Sequence, residues 1–132
     1  MNVYLSDEAL LYLKGQGLES RGSAPSGLLL GHKRAQRFFV EQVYPSRNSY
    51  FSRERNFWSL YRLFGDRIIG FFSFAREDDK MEGLLQPFAY GKLFLRLASR
   101  TNRLVLKAFV IDYKDSFFLR PISARYPTAR KK

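Results

Sequence analysis

The chain contains no cysteine and a single histidine, His32. The first absence excludes disulfides, thiolate-ligated zinc, iron–sulfur clusters and a thiol nucleophile, and it fits a reducing compartment. The second excludes any metal centre that draws two imidazoles from one chain. No apolar run approaches the roughly 20 residues that a membrane-spanning helix needs. The opening Met1-Asn2-Val3-Tyr4-Leu5-Ser6-Asp7 has neither the basic stretch nor the long apolar core of a secretory signal, so the expected location is cytoplasmic. A Walker A loop, a G-x-G-x-x-G turn and a G-x-S-x-G elbow are all missing, as are RNP, KH and zinc-finger signatures. No cofactor is implied.

What is present is apolar, aromatic and basic. The 132 residues are 45% hydrophobic and 17% aromatic, with 13 Phe, which is enough for one domain with a Phe-rich core. Twenty-three Lys and Arg oppose 12 Asp and Glu, a formal net charge of +11. Such a field attracts polyanions: nucleic acid, an anionic membrane or an acidic protein. The same charge also keeps an aromatic-rich chain soluble.

Periodicity divides the chain into elements. Ser6 is a helix N-cap, with Asp7 and Glu8 in the first turn. Leu10, Leu11 and Leu13 supply the apolar side, and Gly15 or Gly17 ends the helix. Residues 19–26 read as a loop. Gly27-Leu28-Leu29-Leu30-Gly31 and the β-prone 38–44 form a hairpin across a basic turn at 32–36. A second helix, capped by Ser52, carries Phe57, Leu60, Tyr61 and Phe64 on one stripe and ends at Gly65. Strands are expected at 67–74, 104–112 and 116–122, and a third helix over 84–99, with Phe88, Gly91, Leu95 and Ala98 on its buried line. The order is α-β-β-α-β-α-β-β, an α/β (α+β) arrangement with a mixed sheet flanked by helices. A single domain over 1–123 is followed by a basic tail, 124–132.

The glycine-flanked strand Gly27–Gly31 after an opening helix, and the later Gly70-Phe71-Phe72-Ser73-Phe74-Ala75-Arg76, resemble the JAB/MPN (JAMM) domain family. The resemblance implies an MPN-like, cytidine-deaminase-like fold. Active members of the family hold zinc with two His and an Asp, and use a Glu beside the first strand as general base. Three ligands leave a position where zinc generates hydroxide. In this chain the His positions match Ser73 and Ala75, the Pro after them matches Arg76, and the Glu matches Ala24. The family's further Ser and Asp fall near Gly83 and Gln86. The resemblance therefore implies a catalytically inactive member with a vestigial cleft at Ala24, Ser73, Ala75 and Arg76. Such a member is expected to be a scaffold or protein-interaction module that binds a protein partner, either acidic or a second copy.

The remaining candidates are surfaces. Arg55 and Arg62 flank Trp58 at the edge of the second helix's stripe, a combination that anchors partners. Basic residues also cluster at Lys33, Arg34 and Arg37, and at Arg96, Arg100, Arg103 and Lys107. With the tail, these clusters support the alternative of a basic nucleic-acid-binding module. His32 reads as a solvated turn residue. The acidic run Glu77-Asp78-Asp79 with Glu82 reads as a solvated loop lacking calcium-loop spacing.

Overall fold

A computed structural model of the chain describes residues 1–19, 26–46, 54–74, 85–100 and 103–125, without the side chains at 16–19, 46, 54, 99, 100, 103 and 125. Its strands are β1 (Asn2–Leu5), β2 (Ser26–Arg34), β3 (Arg37–Ser46), β4 (Ile68–Ser73), β5 (Leu93–Arg100), β6 (Arg103–Tyr113) and β7 (Phe117–Arg125). The helices are α1 (Asp7–Glu19) and α2 (Glu54–Phe64), and short 3-10 turns lie at Gly65–Arg67 and Pro87–Ala89. The strands close into a barrel in the order β1-β3-β2-β4-β5-β6-β7, and β7 pairs back onto β1 in parallel.

This closed barrel overturns the expected α/β sheet flanked by helices, and with it the MPN-like, cytidine-deaminase-like fold that the resemblance implied. The helix expected over 84–99 is a 3-10 turn followed by β5. Leu93, Leu95 and Leu97 are buried in the barrel interior while Phe94 packs outside, so period two prevails over the helical spacing of Phe88, Gly91, Leu95 and Ala98. The Gly91 N–H donates to the Ile111 carbonyl, and the Ile111 N–H to the Lys92 carbonyl, which ties this segment to β6. The second difference is β1. These four residues were not expected to form a strand, yet they pair in parallel with both β3 and β7 and complete the closure.

Local chemistry accounts for the elements that were foreseen. Ser6 Oγ accepts from the Ala9 N–H at 3.0 Å, which caps α1. Helix α1 runs through both Gly15 and Gly17 to Glu19 rather than ending at either. Gly65, at φ +59°, supplies the left-handed residue that terminates α2. Gly31 sits at a bulge between β2 and β3, where a Cβ would lie 1.9 Å from the Phe39 carbonyl oxygen.

Two apolar clusters share the barrel wall. All seven strands contribute to the interior one, including Val3, Leu29, Phe38, Phe72, Leu95 and Val110, and Ala9 and Leu13 of α1 pack into it. The outer cluster lies under α2, where Phe57 and Leu60 meet Leu28, Phe71 and Phe94. The Phe57 ring is 6.0 Å from Phe71 and 4.9 Å from Phe88. One helix thus packs one face against the barrel's interior cluster and the other covers its outside.

Candidate binding site

The basic clusters separate once the strands are paired. Strand β2 runs antiparallel to β4, and β4 parallel to β5, so the β2–β3 turn and the β5–β6 turn lie at opposite ends of the barrel. Lys33, Arg34 and Arg37 are exposed at the first end. Arg34 and Arg37 face each other in register across the Ala35-Gln36 turn, and the Lys33 ammonium lies 5.2 Å from the Phe38 ring centroid. Arg96 and Lys107 face each other near the second end, and Arg100 pairs with Arg103 where that hairpin closes. The side chains of Arg100 and Arg103 lie outside the described residues.

Helix α2 holds the third cluster. Its buried stripe is the one foreseen, and the opposite face exposes Arg55, Trp58, Ser59, Arg62 and Leu63. Trp58 is 46% exposed and meets Phe57 and Tyr61 edge-on at 5.1 and 5.4 Å. Leu63 is 74% exposed, the most exposed large apolar side chain on the helix. The Tyr61 hydroxyl donates to Asp66, and that bond raises the phenol's pKa above its ordinary value.

Of the vestigial-cleft positions, Ala24, Ala75 and Arg76 lie outside the described residues, as does the acidic run 77–82. Ser73 is buried at the end of β4. It belongs to a cross-strand row, Ser26–Ser73–Arg96–Lys107, that runs over β2, β4, β5 and β6 on the outer side of the wall. His32 lies within β2 rather than in a turn. Its ring stacks on Phe39 at 4.8 Å, Phe39 stacks on Tyr4 at 5.2 Å, and Nδ1 is 3.6 Å from Glu41 Oε2. Among the described residues there is no cluster of three or more His, Asp or Glu able to hold a metal ion.

A groove that the sequence did not reveal opens beside Lys107. Strands β6 and β7 pair from Tyr113–Phe117 to Ala108–Ile122; beyond that pair a gap lies between them, and Ser123–Arg125 pair with β1. The gap is a groove of about 530 Å³. Its inner wall is Leu106, Ala108, Ile122 and Ala124, and its outer rim is Arg96, Lys107, Phe109 and Pro121. The Arg96 guanidinium lies 5.2 Å from the Phe109 ring centroid.

The fold has a known counterpart. The solution structure of protein DSY2949 from Desulfitobacterium hafniense superimposes with a TM-score of 0.65, covering 94% of this chain and 92% of that one at 18% identity. At that identity the likeness is one of fold alone. No family model matches the sequence, and no curated protein matches it.

Trp58, Arg55 and Arg62 are thus placed together on one helix face. The two basic pairs are placed apart, at the two ends. Leu63 was legible as an apolar residue off the stripe of α2. The groove was not legible, because where the β6–β7 pairing ends is a property of the pairing and not of either segment's pattern. Pro121, which lacks an N–H for a strand ladder, was its one local signal.

Proposed function

We propose that this protein is a non-catalytic binding module that makes protein–protein contact through the outward face of α2. The observation that carries the reading is the exposed Trp58 and Leu63 on the same face as Arg55 and Arg62, on a helix clamped from beneath by Phe57 and Leu60. Trp and Arg dominate the energetics of protein interfaces, and a rigid helix presents them with little ordering cost. The chain's net charge of +11 favours an acidic partner over a second copy. The nucleic-acid alternative needs a continuous cationic track. The described basic pairs at opposite ends of the barrel do not favour one.

The test is capture of partners from native lysate with and without nuclease, using the wild-type chain, Trp58→Ala and Arg62→Glu. Partners retained after nuclease and reduced about tenfold or more by either variant support this reading; tenfold corresponds to ~1.4 kcal/mol. Release of everything by nuclease, or equal retention by both variants, refutes it.

A further inference from the structure

We infer that the barrel end formed by the β2–β3 and β6–β7 turns is a docking face for an anionic lipid bilayer. This face goes beyond the protein contact at α2 and does not use the exposed residues of that helix.

Strand directions bring the two turns together. β2 pairs antiparallel with β4, β4 runs parallel to β5, and Leu93 at the start of β5 pairs with Val110 near the end of β6. The Lys33–Arg37 turn, the Gly65–Arg67 turn, Tyr90–Lys92 and the Tyr113–Phe117 turn therefore share one end, and each consists of described residues. Lys92 senses the same closeness. Burial is the first cause lowering its pKa; the Asp66 charge raises it and the Lys33 charge lowers it further.

Two kinds of side chain meet at this end. Lys33, Arg34, Arg37, Arg67 and Lys114 are exposed cations. They outnumber the acidic residues of the same segments, Asp66, Asp112 and Asp115, and Asp112 is already paired with Arg120 at 2.7 Å. The second kind is aromatic. Tyr90 and Tyr113 are 57% and 52% exposed, and Phe118 is 38% exposed. Phe117 packs on the outer cluster and meets Tyr90 and Tyr113 edge-on at 6.5 and 4.9 Å, so the two tyrosines stand on a fixed base.

That combination specifies a surface rather than a single bonded group. The cations come from separate turns, so they address negative charges spread over an area. A nucleic acid strand offers its charges along a line, whereas an anionic leaflet offers them in a plane, as lipids that can move under each cation. Tyrosine rings, apolar in body and polar at the tip, are enriched at the headgroup level of bilayers. The net charge of +11 draws the chain to such a leaflet.

The test is co-sedimentation of the full chain with lipid vesicles. Binding is expected to phosphatidylcholine vesicles containing about 30% phosphatidylserine, and not to phosphatidylcholine alone. Raising salt from about 0.1 to about 0.5 M should weaken it at least tenfold. Each basic residue near an anionic leaflet is worth about fivefold, so Lys114→Gln should weaken binding by about that factor and Arg34→Gln/Arg37→Gln at least tenfold. Tyr113→Trp, made together with Trp58→Phe to remove the one native tryptophan, reads the aromatic tip: its emission should shift to the blue on bound vesicles. No binding up to about 1 mM lipid, equal binding to phosphatidylcholine alone, indifference to both sets of Gln variants, or an unshifted emission would each overturn the inference. Capture of a labelled single-stranded oligonucleotide without vesicle binding would also overturn it and assign the face to nucleic acid.

Discussion

Leu13→Ala and Leu11→Ala make a matched pair that tests which face of α1 packs against the barrel's interior cluster. The two leucines are two residues apart, about 200° around a helix, so they cannot face the same way. Leu13 is 0% exposed in the interior cluster, beside Ala9 one turn earlier, while Leu11 is 72% exposed. Removing a fully buried leucine side chain costs its transfer free energy plus a cavity term, ~3 kcal/mol here. Removing an exposed one costs ~0.5 kcal/mol or less. Both substitutions change helix propensity by the same small amount, so that contribution cancels in the comparison. With a urea slope of ~2 kcal/mol per M, the Leu13→Ala midpoint should fall by ~1.5 M and that of Leu11→Ala by ~0.3 M at most. Trp58 is the only tryptophan and lies on α2, across the barrel wall from α1, so its fluorescence reports global unfolding rather than a local change. Far-UV circular dichroism on the same samples checks that the transition is two-state. Equal midpoint shifts for the two variants, or a larger one for Leu11→Ala, would refute the packing of the Ala9–Leu13 face of α1 on the interior cluster.

Two further outcomes follow from local geometry. Ala35 occupies φ +55° in the β2–β3 turn, a conformation that costs an L-residue ~1 kcal/mol. Ala35→Gly should stabilise by a net ~0.5 kcal/mol after the added freedom of the unfolded chain, raising Tm by ~1–3 °C in calorimetry, and a lower Tm would contradict the turn geometry. Asp112 accepts the Tyr113 N–H and the Arg120 guanidinium at 2.7 Å, which together hold its carboxyl below the usual carboxylate range. Its contribution to stability is therefore present above the ordinary carboxylate pKa and is lost as pH falls through the lower folded-state value. Asp112→Asn should flatten the fall in stability below about pH 4, and an unchanged acid limb in urea titrations would refute that role.

What the sequence determined by itself was local. Ser6 caps α1 because its hydroxyl reaches the Ala9 N–H. The i, i+3, i+4, i+7 spacing of Phe57, Leu60, Tyr61 and Phe64 sets the buried side of α2, which leaves Arg55, Trp58 and Arg62 facing out. The hairpin of β2 and β3 was legible from its glycine-flanked apolar run and its basic turn. Each of these depends on neighbours within one or two turns or rungs of the chain.

What the tertiary structure decided were the pairings between distant segments. Leu93–Arg100 carries both a helical and a strand spacing of apolar residues, and β4 on one side and β6 on the other select the strand. Four residues at Asn2–Leu5 are too short to signal a strand by pattern, yet they form one because β3 and β7 both offer edges. The groove at Lys107 likewise lies between two strands, β6 and β7, whose pairing ends at Ala108–Ile122. Hydrogen bonds between strands join residues more than a hundred positions apart, and a pattern read over ten residues carries no record of them.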